Sequence, residues 1–471
     1  MRWLLAVQVC ERFAFYTMQG IIVLYMTQAL DFRESVAYAQ FASFSALLFL
    51  TPALGGPVAD RWLTPRAAVL LGCGTLCSGY LVMALLPRGA LPVALGLIIA
   101  GGGLFLPNMP RLVGSLAAAH ETDGQRDSAM SLLFVAINAG GLVPPLVMGW
   151  VIIEFGYRPC FLLAAAFVAL GGFLLTRLPA HQADMRPLPG AGGRRVACAG
   201  VGAGLLVVVF ASVLVRFEFV AYTAVGLAAA VLFGYILWRG LRLPAAQRSR
   251  VLAGMALMGF AMVYVVLDQQ AATSLTIFTE ENVRRDIAGI EIPTVAFRAA
   301  NPLFIIVLGP LLSALWLRLG ERGRNPSVPA KFAVGAGLMG SGFLILSLAI
   351  ARFPDGSGHT QPVWVLLLYF LMAFGELMLA PIGMAMVVKV SPPGMAGLMM
   401  GAWYTAFALA GILAGLLSRA TVSDGAASGG PLSSADAYAQ TFGWAGGATI
   451  LIGVVLLVLR TRLNMLIMED R

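Results

Sequence analysis

Two adjacent charged residues, Glu11 and Arg12, lie in the middle of the first apolar stretch of the sequence. Together with Gln8, Phe15 and Tyr16 they fall at offsets of 0, 3, 4, 7 and 8, which places all five on one face of an α-helix. An acid beside a base on such a face can bind a zwitterion or exchange a proton. Alternatively, the two charges form a structural pair that neutralises itself. The sequence leaves both interpretations open.

Two further acids, Glu376 and Asp268, stand inside apolar stretches of the C-terminal half. Burying a charge in lipid costs about 3 kcal/mol or more, so such residues usually have a function. Glu376 follows a glycine and precedes Pro381 by five residues. Because a buried carboxyl group favours the protonated form, we interpret Glu376 as a proton site, a ligand for a substrate amine, or both. Alternatively, its role is purely structural. Asp268, beside Gln269, is a candidate for proton coupling or for an extracellular gate.

The residue types needed for catalysis or metal binding do not cluster anywhere in the sequence. Cys73 and Cys77 lie one helical turn apart, but no histidine or acid accompanies them, which favours buried thiols over a metal site. No nucleophile and base occur together, and no glycine-rich phosphate loop is present. We therefore predict that the protein is not an enzyme and that it has no cofactor or metal.

Membrane helices must position these charges. The chain has 471 residues, 59% of them hydrophobic and 11% charged, which is too few polar residues to cover a soluble protein. Apolar runs of about 20 residues recur, each long enough to cross a bilayer.

The first run lacks the basic start and cleavage site of a signal peptide, so it is predicted to be a structural span. Fourteen helices are predicted, at 3–30, 36–58, 67–87, 91–116, 127–153, 158–178, 196–215, 219–239, 252–279, 295–317, 329–352, 362–388, 396–420 and 438–460.

The distribution of charges between these spans predicts the orientation. Most arginines and both lysines, Lys331 and Lys389, fall on one side, whereas the opposite loops are richer in acids. By the positive-inside rule both termini are cytoplasmic. The net charge of +9 then mainly reflects the cations that set the orientation of the spans in the membrane, so a nucleic-acid partner is not expected.

The grouping of helices as six, two and six predicts two related bundles with a substrate site between them near the middle of the membrane. The predicted divisions are an N-terminal bundle at 1–178, a linker with two extra helices at 179–250, and a C-terminal bundle at 251–471. The stretch from Gly56 to Trp62 contains Asp60 and Arg61, and Arg66 follows it. It resembles the loop signature of the major facilitator superfamily, whose ion pairs break when the cavity opens inward. Alternatively, these charges only set the topology.

The segment from Gln8 to Tyr16, QVCERFAFY, resembles the first-helix motif ExxERFxYY of the proton-dependent oligopeptide transporters. Other stretches resemble the same family in the same order along the chain, and the inserted helices at 196–239 fit its bacterial members. These stretches are Phe49–Pro52, Gly103–Asn108, Arg126–Ser128, Ile137–Asn138, Asn301–Pro302 with Pro310, Gly375–Leu377 and Pro381–Gly383.

The resemblance implies a proton-coupled symporter that imports di- and tripeptides by alternating access, with protons as the coupling ion, in a bacterial inner membrane. We expect it to work as a monomer. Carried over residue by residue, it makes Arg12 the anchor for the peptide carboxylate and Glu376 the anchor for its amine. It makes Asn138 and Asn301 the partners of the peptide backbone. Proton coupling is assigned to Glu11, Asp268 and Glu376. Tyr16, Phe297 and Trp403 are candidate pocket walls, although helix packing explains each of them as well.

Four positions depart from the family pattern, and all lie in the first bundle. Gln8, Phe15 and Phe49 replace a glutamate and two tyrosines, and Leu106 stands where the family carries a lysine. In the seventh helix the family acid aligns with Gln269, so Asp268 is shifted by about 100° around the helix. We therefore hypothesise that Arg12 pairs with Glu11 and that coupling shifts to Glu376 and Asp268. The alternative function is a related facilitator or symporter for another small anion or zwitterion, with weak or no proton coupling.

Overall fold

The structure is a computed structural model that describes residues 2–86, 88–118, 123–177, 207–287, 289–355, 358–392, 394–422 and 431–468. Within these ranges, the side chains of 53–62, 114–131, 134 and 431–433 lie outside the description. The predicted linker and the first inserted helix fall partly in the segment 178–206, which is also outside the described residues.

The N-terminal half of the described chain is a succession of helices. In chain order they are α1 (Arg2–Leu24, continued by a π-helical turn at Tyr25–Ala29), α2 (Glu34–Trp62), α3 (Pro65–Leu85), α4 (Leu91–Ala118), α5 (Asp123–Phe155), α6 (Tyr157–Arg177) and α7 (Val207–Arg216).

The C-terminal half is also helical, apart from a hairpin whose strands have two residues each, β1 (Asp286–Ile287) and β2 (Ile290–Glu291). Its helices are α8 (Glu218–Leu241), α9 (Ala245–Asp268), α10 (Ser274–Asn282), α11 (Thr294–Phe297), α12 (Ala300–Glu321), α13 (Val328–Arg352), α14 (Pro362–Val390), α15 (Ala396–Arg419) and α16 (Pro431–Met468).

Most of these helices can cross a membrane. Twelve of the spans in the described part of the chain are long and apolar enough by length and composition. Helix α1 is not among them, because Gln8, Glu11, Arg12 and Gln19 lower its hydropathy. The prediction of an almost entirely helical membrane protein is therefore confirmed. The count of fourteen stays a prediction, since part of the seventh span lies outside the described residues.

The chain divides into two compact units. Unit 1 comprises Met1–Phe32 and Ser43–Thr223, and unit 2 comprises Arg33–Ala42 and Ala224–Arg471. The first turns of α2 pack within unit 2, where the Arg419 guanidinium donates to the Ser35 carbonyl at 3.2 Å. The predicted divisions at 1–178, 179–250 and 251–471 stay a prediction.

Two predicted spans are not continuous helices. The span 252–279 is interrupted by a 3₁₀ segment at Gln269–Ala272, between α9 and α10. The span 295–317 is interrupted at Arg298 and Ala299, between α11 and α12. Both stretches remain single spans that are long and apolar enough to cross a membrane, Ala245–Asn282 and Thr294–Glu321.

Hydrogen bonds between the Gln270 side chain and α15 satisfy the polar side-chain groups at the break after α9. The Gln270 amide donates to the Ala414 carbonyl at 3.2 Å, and the Ser418 hydroxyl donates to the Gln270 carbonyl oxygen at 2.9 Å. The Ser274 hydroxyl donates to the same oxygen at 2.6 Å. In a bilayer a broken helix persists only where protein groups take over its hydrogen bonds. Gln270 and Ser418 thus hold the helix break immediately after Asp268.

Candidate functional site

In unit 1, the candidate site is built around the ion pair between Glu11 and Arg12. Arg12 Nε donates to Glu11 Oε2 at 2.6 Å, and a terminal nitrogen donates to Oε1 at 2.6 Å, which is a two-pronged contact. Gln8 Nε2 also donates to Glu11 Oε2 at 3.3 Å. The exposed fractions of the Arg12 and Glu11 side chains are 11% and 4%. The hypothesised pair is present, and its charges neutralise each other inside the protein.

Helices α3 and α5 enclose this pair. Tyr80 of α3 is buried and lies close enough to Glu11 and Arg12 to interact electrostatically with both. Asn138 of α5 is half-buried, two residues before Gly140. A Cβ placed on Gly140 would lie 2.7 Å from the Cβ of Arg12, so only glycine permits this approach. Tyr80 belongs to no recognised motif and was missed by sequence reasoning.

We expect Gly140→Ala to destabilise the protein by about 1–3 kcal/mol, because overpacking forces side chains and backbone apart. The new methyl group would meet the Val9 carbonyl oxygen at 2.8 Å and the Phe13 nitrogen at 3.3 Å. Thermal unfolding in detergent measures the effect. Gly74→Ala is the matched control, since nothing lies within 4 Å of a Cβ there. Equal midpoints for the two variants would contradict the close packing of α1 and α5.

The four residues that depart from the family pattern lie in different environments in unit 1. Gln8 retains a polar role by donating to Glu11, so the loss of the acid does not remove the hydrogen bond. The Arg12 guanidinium lies 4.7 Å from the centre of the Phe15 ring, an arrangement favourable for a cation and an aromatic face. Phe49 and Leu106 are half-buried on α2 and α4. Tyr16 is half-buried and packs edge-on against Phe15.

In unit 2, the candidate site centres on Glu376 of α14. Asn301 Nδ2 donates to Glu376 Oε2 at 3.3 Å, and the Tyr264 hydroxyl of α9 also hydrogen-bonds this carboxyl group. The amide oxygen of Asn301 is buried without a hydrogen-bond partner among the described residues. An unmatched buried acceptor is costly, so this oxygen is available for an N–H donor of a ligand.

Asp268 and Arg298 complete this cluster at the two helix breaks. Asp268 interacts electrostatically with Glu376 and with Arg298, and Arg298 also acts on Tyr369. Two carboxylates and one guanidinium carry a net charge of −1 when all are ionised. A proton or a ligand ammonium group would neutralise that charge.

Sequence reasoning predicted Asp268, Glu376 and Asn301 but missed Arg298 and Tyr264. The structure brings all five together. The proposed 100° displacement of Asp268 assumed a continuous helix. Asp268 is the last residue of α9 and Gln269 the first of the 3₁₀ segment, and both have right-handed helical backbone, so the displacement stays a prediction.

Trp403 and Phe297 lie in the helix packing of unit 2. Trp403 is 2% exposed, and its ring rests directly on Gly383 of α14, where a Cβ would overlap the ring. Phe297 is 5% exposed. These positions favour the packing interpretation that the sequence left open for both residues.

Of the three charges of the predicted gating loop, only Arg66 has a described side chain. It donates to the carbonyl oxygens of Leu175 at 3.0 Å and Thr176 at 3.3 Å. Arg66 therefore ties the start of α3 to the last turn of α6, whose carbonyls have no helical partner. The side chains of Asp60 and Arg61 lie outside the described residues.

Known proteins resemble this chain over nearly its whole length. The family model described as the POT family matches residues 15–182 and 227–430. The dipeptide and tripeptide permease A of Cronobacter turicensis is 31% identical over 478 residues, covering 99% of this chain and 93% of the permease. The dipeptide and tripeptide permease B of Yersinia enterocolitica is 30% identical over 470 residues, covering 98% and 94%.

Solved structures of peptide transporters are similar to this chain as well. A crystal structure of a peptide transporter POT mutant in complex with alafosfalin has a TM-score of 0.85 at 28% identity, covering 98% of this chain and 94% of that one. The tetrameric crystal structure of PepTSo2 has a TM-score of 0.85 at 27% identity, covering 99% and 98%.

Proposed function

Because the chain belongs to the POT family, we propose that it is a proton-coupled symporter that imports di- and tripeptides by alternating access. The resemblance inferred from the first-helix motif is thereby confirmed, and so is the fold of the major facilitator superfamily. The relatives are permeases, which agrees with a transporter rather than an enzyme.

The observation that carries the proposal is the cluster of Glu376, Asp268, Arg298 and Asn301 in unit 2. A peptide presents an ammonium group at one end, and a proton is a competing cation. Because the fully ionised cluster has an excess of one negative charge, either cation would neutralise it. Two interacting carboxyl groups also titrate as a pair, so the proton state of one alters how the other binds a cation. This supports Glu376 as amine anchor and proton site, with Asp268 as its coupled partner.

Arg12 is the proposed anchor for the peptide carboxylate. Its contact with Glu11 determines whether the guanidinium is free to bind that carboxylate. Glu11 occupies two donors of the guanidinium in the present arrangement. A proton on Glu11 would weaken that contact, since a neutral carboxyl group attracts the guanidinium less than a carboxylate does. A peptide carboxylate could then replace Glu11 as the anion facing Arg12. Proton uptake and peptide binding would thus favour each other.

Asn138 and Asn301 are proposed to contact the peptide backbone. For Asn301 the support is its buried amide oxygen, which has no partner among the described residues and could accept from a peptide N–H. Tyr16 is proposed to line the site beside Arg12, because it is only half-buried. Trp403 and Phe297 support the site through packing.

The location, coupling ion and oligomeric state of the protein complete the proposed function. We propose a multi-pass protein of the bacterial inner membrane with both termini cytoplasmic, coupled to protons without another cofactor. We propose a functional monomer, although the related PepTSo2 forms a tetramer in its crystal structure.

A second candidate function is a facilitator for another small anion or zwitterion, with weak or no proton coupling. Leu106 favours it, since it stands where the family carries a lysine, and the nearby charges of Glu11 and Arg12 neutralise each other. The test is uptake of labelled dialanine into proteoliposomes with and without an inward proton gradient. Accumulation only with the gradient supports symport. Exchange without accumulation would assign the facilitator function instead.

We expect Leu106→Lys not to improve transport. An added ammonium group would have only Glu11 as its acidic partner in the first-helix motif, and Glu11 already pairs with Arg12. An unpaired buried cation is unfavourable by about 3 kcal/mol or more. Dialanine uptake and its half-saturation concentration measure the effect, with Leu106→Met as the neutral control. A large gain in peptide affinity and proton coupling would show that the missing lysine at position 106 limits transport independently of the other three departures from the family pattern.

A further inference from the structure

At the end of α8, Arg239 in the last turn and Arg242 just after the helix each lie over an aromatic ring. The Arg242 guanidinium carbon lies 3.9 Å from the centre of the Trp238 ring, and that of Arg239 lies 6.0 Å from the centre of the Tyr235 ring. The two rings themselves stack, with centres 5.9 Å apart and planes inclined by 26°. Stacking holds a guanidinium by its face and leaves its N–H edge free to bind an anion in two-pronged fashion.

The positive charge of this region is not balanced locally. Arg248 follows in the first turn of α9, and the sequence from Tyr235 to Arg248 contains no acid. Within the described residues, Arg239, Arg242 and Arg248 form no ion pair. Arg285, by contrast, contacts both Glu280 and Glu291. An anion from outside the protein would therefore meet little competition.

The rings lie where lipid headgroups are expected. Helix α8 has 24 residues and is apolar enough to span a membrane, so its last turns reach the edge of the bilayer. Tyrosine and tryptophan favour this level because their rings are apolar at one end and polar at the other. Tyr235 is 44% exposed and Trp238 50%. Beside them, Leu237 and Leu241 are 39% and 54% exposed, and they offer an apolar surface to acyl chains.

We propose that this end of α8 binds the phosphodiester headgroup of an anionic glycerophospholipid. Arg242 and Arg239 donate to the phosphate oxygens, and Arg248 adds to the local positive potential. The acyl chains run along Leu237 and Leu241. The peptide mechanism uses none of these residues, so the site gives the inserted helices a function of their own, which is to attach a specific class of lipid.

Native mass spectrometry of the delipidated, full-length protein tests the site directly. Phosphatidylglycerol and phosphatidylcholine with identical acyl chains serve as probes. We expect the wild type to retain phosphatidylglycerol preferentially. The double variant Arg239→Gln/Arg242→Gln is expected to bind it about tenfold more weakly, given the contribution of each arginine to anionic-lipid binding. Dialanine uptake by this variant should stay unchanged, which shows that it folds.

Two controls distinguish specific binding at this site from nonspecific attraction of the lipid to positive charge. Arg322→Gln/Arg324→Gln removes the same charge from the exposed turn after α12 and should leave phosphatidylglycerol binding unchanged. Arg242→Lys keeps the charge but loses the planar stacked fork, so it should weaken binding. If the lysine variant binds like the wild type, or if both double variants lose binding equally, the site is overturned.

Soluble glycerol phosphate distinguishes the lipid from its headgroup alone. At millimolar concentration it should not displace phosphatidylglycerol, because it lacks the acyl chains that contact Leu237 and Leu241. Full displacement would show that these arginines bind a soluble phosphate, and it would overturn the lipid assignment.

Discussion

Glu376→Gln is expected to abolish the proton-driven accumulation of dialanine. The substitution keeps the size of the side chain and its contact with Asn301, but it removes both the titratable proton and the negative charge that would face a peptide amine. A charge-assisted hydrogen bond contributes about 1.5–3 kcal/mol, so uptake should fall at least about tenfold. Gradient-driven uptake in proteoliposomes measures the loss.

Counterflow of dialanine without a proton gradient separates the two roles of Glu376. Loss of both accumulation and counterflow shows that the carboxylate binds the peptide. Loss of accumulation alone shows that it only couples the proton. Glu321→Gln, at the exposed end of α12, is the matched control and should behave like the wild type. Intact pH-driven uptake by Glu376→Gln would contradict the assignment of the proton site.

The helices and the charged faces could be predicted because they depend on local properties of the sequence. Apolar runs of membrane length give the spans, and the offsets from Gln8 to Tyr16 give one face of α1. The ion pair between Glu11 and Arg12 also follows from two adjacent opposite charges that cannot reach water. These inferences need no knowledge of neighbouring helices.

The breaks in the helices and the residues they bring together could not be predicted in the same way. The break after Asp268 depends on Gln270 meeting Ser418, which is 148 residues away in the chain. Arg298 stands near the predicted start of a span, where an arginine is typical of a membrane edge. Its interaction with Asp268 appears only once α9 and the α11–α12 turn are placed side by side.

Arg12→Gln is expected to cause the largest loss of stability among single changes in unit 1. Glu11 is 3% exposed, and its carboxylate receives two hydrogen bonds from Arg12 and one from Gln8. Removing one member of a buried ion pair typically costs about 3–5 kcal/mol, because the other charge is left without compensation. Thermal unfolding in detergent measures this loss, and Arg177→Gln, an exposed arginine, is the control.

The double variant Glu11→Gln/Arg12→Gln decides whether the pair serves stability or transport. Two amides carry no charge, so most of the stability lost in Arg12→Gln should return, as expected when both members of a buried pair are replaced. Peptide transport should not return, because the guanidinium that would bind the carboxylate is gone. Recovery of both stability and dialanine uptake would show that Glu11 and Arg12 form only a structural pair. Recovery of stability alone would show that the pair also serves transport. The half-saturation concentration for dialanine then separates the two residues: Glu11→Gln, which keeps the guanidinium, should still bind the peptide, whereas Arg12→Gln and the double variant should not.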